Sequence, residues 1–115
     1  MGSESDRAIR ARVPGELFVV VSQFEVANGL EDAVEAAFVA RPHLVDSAPG
    51  FVRLEVSRGV ENPRAFWLLT YWENEASYRD WHKGHAYHAS HLGIPKHLKL
   101  KSGSVAVHFL RSIRA

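Results

Sequence analysis

AFWLLTYWENEASYRDW, residues 65–81, switches character halfway along, and that switch decides the fold. Ala65 to Trp72 is almost continuously apolar and aromatic, the pattern of a strand covered on both faces. Asn74 is then a good N-cap for a helix running to about Lys83. Upstream, residues 51–58 alternate Val52, Leu54 and Val56 with Arg53, Glu55 and Ser57, which predicts a half-buried strand. Glu61-Asn62-Pro63 supplies a hairpin loop between these two strands, and Ala48-Pro49-Gly50 a turn before the first.

Further upstream, Leu30, Val34, Phe38 and Val45 recur near a helical repeat, with Glu31, Asp32, Glu35 and Arg41 mostly on the other side. Acidic residues crowd the first turn, as a helix N-terminus prefers, and Pro42 kinks or ends the regular part. Asn28-Gly29 separates this helix from LFVVVSQFEV, residues 17–26, whose density of Val and Phe reads as a strand. Downstream of residue 81, Gly84 interrupts the helix, a short helical piece follows, and Gly93-Ile94-Pro95 stops it. A basic loop (KHLKLKSG) leads to a last strand over residues 104–110. The order is β-α-β-β-α-β, an α+β ferredoxin-like arrangement: a four-stranded antiparallel sheet with two helices on one face.

At 115 residues the chain predicts one domain over residues 16–115, preceded by a flexible tail over residues 1–15. Net charge is +1, so no global field points to nucleic acid or an acidic membrane surface. Cysteine is absent, which excludes disulfides, cysteine-ligated metal centres and thiol nucleophiles. The apolar run from Leu17 to Val21 is too short to span a bilayer, and the first residues lack a signal-peptide core, so a cytoplasmic location is expected. Two helices cover only one side of the sheet, yet Phe18 to Val21 and Phe66 to Leu69 run apolar on both. That predicts a homodimer whose sheets pack face to face.

The histidines at 82, 85, 88 and 91 follow Trp81 at intervals of three. Each step of three turns a straight helix by about 300°, so the four fan over half its circumference and cannot share one ion. Neighbouring pairs still lack the third ligand that zinc or iron wants, with Asp80 and Glu75 nearby only in sequence. His82 and His88 read as solvated helix residues.

The APGF turn (residues 48–51), the WLLTYWENEASYRDW run (residues 67–81) and the His91 that follows resemble the antibiotic biosynthesis monooxygenase (ABM) superfamily of dimeric α+β barrels. That superfamily includes the IsdG-type haem-degrading monooxygenases, and the resemblance spans roughly residues 17–112. In the haem-degrading branch an Asn on the first strand, a Trp on the second helix and a haem-ligating His ten residues later build the site. Trp81 and His91 match the last two. The Asn position falls on Ser22, whose hydroxyl donates one hydrogen bond but lacks the amide's pair of donors.

The resemblance therefore implies Trp81, His91, Ser22 and His85 as candidate catalytic residues. Haem, as both substrate and cofactor, would be held through iron by His91 and faced by Trp81. A competing reading needs no cofactor: a phenolic or polyketide substrate reacts with oxygen after deprotonation by His85 or His91, in an apolar pocket lined by Trp81 and Tyr78. A non-catalytic dimeric barrel is the third. His91 as a helix-end residue favouring the dipole is the plain alternative to a ligand. Ser22 lacks a His–Asp signature for hydrolase chemistry, and alternation sends it and Gln23 to opposite sheet faces. Lys96, His97, Lys99 and Lys101 are either solvated or placed to pair with ligand carboxylates such as haem propionates.

Overall fold

A computed structural model describes residues 16–41, 43–84, 87 and 94–113. Strands β1 (Phe18–Glu25), β2 (Phe51–Arg58), β3 (Ala65–Trp72) and β4 (Ala106–Arg111) form one antiparallel sheet in the order β2-β3-β1-β4. Helix α1 (Glu31–Val39) follows β1, and α2 (Glu75–Lys83) follows β3. The ferredoxin-like order read from the sequence is the order observed. The two most apolar segments, β1 and β3, take the two central places, where both edges are hydrogen-bonded.

Strand pairing places Phe18, Val20, Ser22 and Phe24 beside Trp72, Thr70, Leu68 and Phe66 on the helix side of the sheet. Two knots of core form there. Val20, Val45 and Trp72 make one, with Phe51, Tyr78 and Trp81 packed on it. Val26, Val34 and Phe66 make the other, with Phe24, Phe38 and Leu98. Trp72 and Phe66 are buried, and the Trp72 indole N–H donates to the Thr70 hydroxyl at 2.9 Å, so burying the ring leaves no orphaned donor.

The first helix is shorter than its periodicity implied. It ends at Val39, and Val45 sits instead in a separate 3-10 turn (Val45–Ser47), still buried against Trp72. A proline at position 42 has no N–H for a helix, would clash with the preceding turn and disfavours helical backbone at Arg41. Val45 keeps its core role through a different local structure. The last strand begins two residues later than expected because Ser104 is used elsewhere. Its hydroxyl accepts from the Glu25 N–H at 3.1 Å and donates to the Lys101 carbonyl at 2.7 Å, closing a sheet corner.

Asn74 caps α2 as its sequence predicted: its side-chain oxygen accepts from the Ser77 N–H at 2.9 Å and the Ser77 hydroxyl at 3.0 Å. At the other end the Gly84 N–H donates to the Trp81 carbonyl at 3.0 Å. Asn74→Ala is expected to cost about 1 kcal/mol of stability, read as a lower urea midpoint with unchanged m-value. An unshifted midpoint would show that the cap is not what starts this helix.

The sheet face away from the helices is more mixed than the sequence suggested. Val19, Val21 and Leu69 form its apolar centre. Around them Trp67 donates to Gln23 at 3.2 Å, Tyr71 donates to Glu55 at 3.1 Å, and the Arg53 guanidinium lies 3.9 Å from the Tyr71 ring centre. The greasy runs of β1 and β3 thus sit inside a polar frame contributed by their own odd positions and by β2.

Candidate active site

On β1 the helix-facing row reads Phe18, Val20, Ser22, Phe24, with large groups on either side of one small one. The two core knots close against the large groups. At Ser22 no described side chain fills the space, and a cavity of about 360 Å³ remains between the sheet and the helices. That size falls within the range of small-molecule sites. Its floor is Val20, Ser22, Phe24, Leu68, Thr70 and Trp72, and its roof is Val34, Phe38, Tyr78 and Trp81. Ile94, Pro95, Leu98 and Leu100 close one side.

Few polar atoms face this space. The Ser22 hydroxyl makes no side-chain hydrogen bond among the described residues, whereas Thr70 is engaged by Trp72. Tyr78 is half-buried among Phe18, Trp72 and Phe109, with ring centres 5.8–6.0 Å apart. Burial pushes its phenol pKa up, Tyr87 adds to the rise, and Arg79 opposes it. The group stays protonated at neutral pH and available as a donor. Trp81 is also half-buried, set edge-on to Tyr87 with centroids 6.2 Å apart. Its indole N–H has no hydrogen-bond partner among the described residues, and its far side borders a shallower hollow beside Leu44, Ala48 and Pro49.

The structure brings Ser22 and Trp81, two of the four sequence candidates, to one cavity from different elements. His85 and His91 lie outside the described residues. Gln23 points to the opposite face, as alternation required. His82 is exposed and packs its ring 4.4 Å from Tyr87. Among the described residues no group of three or more metal-ligating side chains forms. The basic loop contributes its apolar members to the cavity wall, while Lys96, Lys99 and Lys101 are exposed and Lys101 lies 3.8 Å from Glu25.

The cation that does line the cavity is Arg41, which the sequence pattern puts mostly on the polar side of the first helix. The signal was present: Val34, Phe38 and Arg41 are spaced as i, i+4 and i+7, the spacing of one helix face, although the helix itself ends at Val39. Its charge masked its position.

A family model described as antibiotic biosynthesis monooxygenase matches residues 17–92. A haem oxygenase (mycobilin-producing) of Mycobacterium tuberculosis is 30% identical over 79 residues, covering 67% of this chain and 75% of the relative. Among solved structures, the haem degrader MhuD of M. tuberculosis, with two haems bound in its active site, superposes with a TM-score of 0.68 at 23% identity, over 85% of this chain and 97% of that one. A mutant of SnoaB, a cofactor-independent oxygenase from Streptomyces nogalater, gives a TM-score of 0.68 at 14% identity, over 87% and 96%. At those identities the superpositions establish a shared fold. No helix among the described residues is long and apolar enough to cross a membrane.

Proposed function

Because the chain belongs to the antibiotic biosynthesis monooxygenase family, we propose that it is a monooxygenase acting on a flat aromatic substrate in the cavity under α2, and that this substrate is haem. One observation carries the reading: Ser22 and Trp81, matched to the site of the haem-degrading branch, line the same apolar cavity although 59 positions separate them in the chain. The 30% identity to a haem oxygenase supports the choice of haem.

The residues present fit such a ligand in three respects. Apolar side chains from floor and roof exclude water from a ring system. Trp81 offers an indole that can wall a flat molecule. The Ser22 hydroxyl, without a partner among the described residues, donates or accepts from the floor. Haem held here would be the centre at which oxygen is activated, with electrons drawn from an external reductant. We assign His91 to hold the iron, as a neutral imidazole with one nitrogen free.

A second reading has its own observation. The residues that line the cavity include two with neutral hydroxyls, Ser22 and Tyr78, which suit the oxygens of a quinol or polyketide. In that case His85 or His91 deprotonates the substrate and no cofactor is needed. Titration with hemin separates the two. The haem reading expects a saturable Soret band, lost in His91→Ala, and bleaching of that band on adding ascorbate under air. No band, or one indifferent to His91→Ala, transfers the assignment to oxygen uptake with hydroquinones.

We also propose that the protein is a homodimer, its half-buried Val21 and Leu69 face packed on the same face of a second copy. Light scattering that reports a monomer throughout dilution would remove that proposal.

A further inference from the structure

We propose that Arg41 anchors a carboxylate on the ring substrate, and that Asp46 is its internal competitor. This rests on the reading that the cavity under α2 is the substrate site. Arg41 follows the end of α1, and its side chain is only 20% exposed. Among the described residues it is the cation that lines the cavity; the other walls are apolar or neutral. A guanidinium in such surroundings requires anionic or hydrogen-bonding partners, because desolvating an unpaired charge is costly.

The partner it has is weakly held. One Arg41 nitrogen meets Asp46 Oδ1 at 3.3 Å, longer than the usual charge-assisted bond of about 2.7–2.9 Å. The other Asp46 oxygen lies 3.2 Å from His43 Nδ1, so this carboxylate is shared and more exposed than the arginine. No second bond from Arg41 forms among the described residues, where Asp46 engages one nitrogen of a group that carries five N–H donors. The planar fork of a guanidinium matches a carboxylate through two parallel bonds, a geometry that Asp46 does not supply. The ligand class follows: a flat apolar body carrying at least one carboxylate, oriented so that the acid points to the C-terminal end of α1.

The two residues should act with opposite signs. Removing Arg41 weakens acids; neutralising Asp46 frees the guanidinium and strengthens them. The test titrates the full chain with 2-naphthoate and its neutral methyl ester, and with hemin and its dimethyl ester, following quenching of tryptophan fluorescence. In the wild type each acid should bind about tenfold tighter than its ester, a typical gain for one charge-assisted pair. Arg41→Met should erase that preference while leaving ester binding unchanged, Arg41→Lys should restore part of it, and Asp46→Asn should raise acid affinity severalfold. Equal binding of acid and ester by the wild type would overturn the proposal, as would an Asp46→Asn that weakens acids. Failure of hemin alone, with an Arg41-dependent preference for naphthoate, removes haem as substrate and leaves the anchor standing. Hemin binding indifferent to esterification does the reverse. If no acid of either size binds, both are overturned.

Discussion

Ser22→Phe is expected to abolish ligand binding while leaving the fold intact or slightly firmer. Ser22 is the small residue in a row of large ones, and its hydroxyl has no described partner to lose. A phenyl ring there would extend between Leu68 on β3 and the α2 roof, joining the two core knots through the space they now leave open. Filling a cavity with apolar atoms adds contacts rather than removing them, so the thermal midpoint should hold or rise. Affinity for an aromatic ligand should fall at least about a hundredfold, equivalent to roughly 3 kcal/mol. Tight binding retained by Ser22→Phe would place the substrate elsewhere. Loss of folding would show that the row has no slack, and that the cavity is smaller than its outline.

Gly50→Ala has the largest effect expected on stability. Gly50 is the glycine of the APGF turn, and its backbone is in the left-handed region at φ 79°. An added Cβ would overlap both the hydroxyl and the Cβ of Ser77, in the first turn of α2. The Gly50 carbonyl accepts from the Glu73 N–H at 2.8 Å, so the turn is tied to the start of that helix. The turn cannot retreat without breaking this bond, and Ser77 cannot move without loosening the Asn74 cap. Strain and overpacking together should cost about 3 kcal/mol, measured as a shift in the urea midpoint.

Gly29→Ala is the internal comparison. It has nearly the same φ, 78°, but no atom within 4 Å of an added Cβ, so it should cost only the strain, about 1 kcal/mol. Ser77→Gly combined with Gly50→Ala should recover part of the larger loss, since it removes the atoms that collide. Equal effects of the two glycine substitutions would mean that contact with Ser77 plays no part. Because Trp81 lies one helical turn beyond Ser77, the same junction that holds α2 against β2 also sets where the indole enters the cavity.

That junction shows why some of the site was legible early and some was not. Asn74 announces α2 because an N-cap is chemistry between residues three apart. Alternation along β1 put Ser22 and Gln23 on opposite faces because the strand repeat is two. Such relations depend on a few neighbouring residues, so the pattern alone carries them. Val45 was harder: it belongs to the core, but reaches it from a 3-10 turn after a proline break, and periodicity reports apolar placement without reporting continuity of the helix. Arg41 was harder still, since a charged residue is ordinarily assigned to solvent, and the sequence does not show which cavity a helix end overlooks.

The sequence by itself determined the order of strands and helices, the cap that starts α2, the face on which Ser22 stands, and membership in a family of monooxygenases. Only the tertiary structure decided that the core divides into two knots with a hollow between them, and that Arg41 rather than the lysine loop brings charge to that hollow. The physical reason is range. Helix and strand preferences act over a few bonds, whereas an unfilled space exists only once β1, β3, α1 and α2 have met and the volumes of side chains far apart in the chain are compared across it.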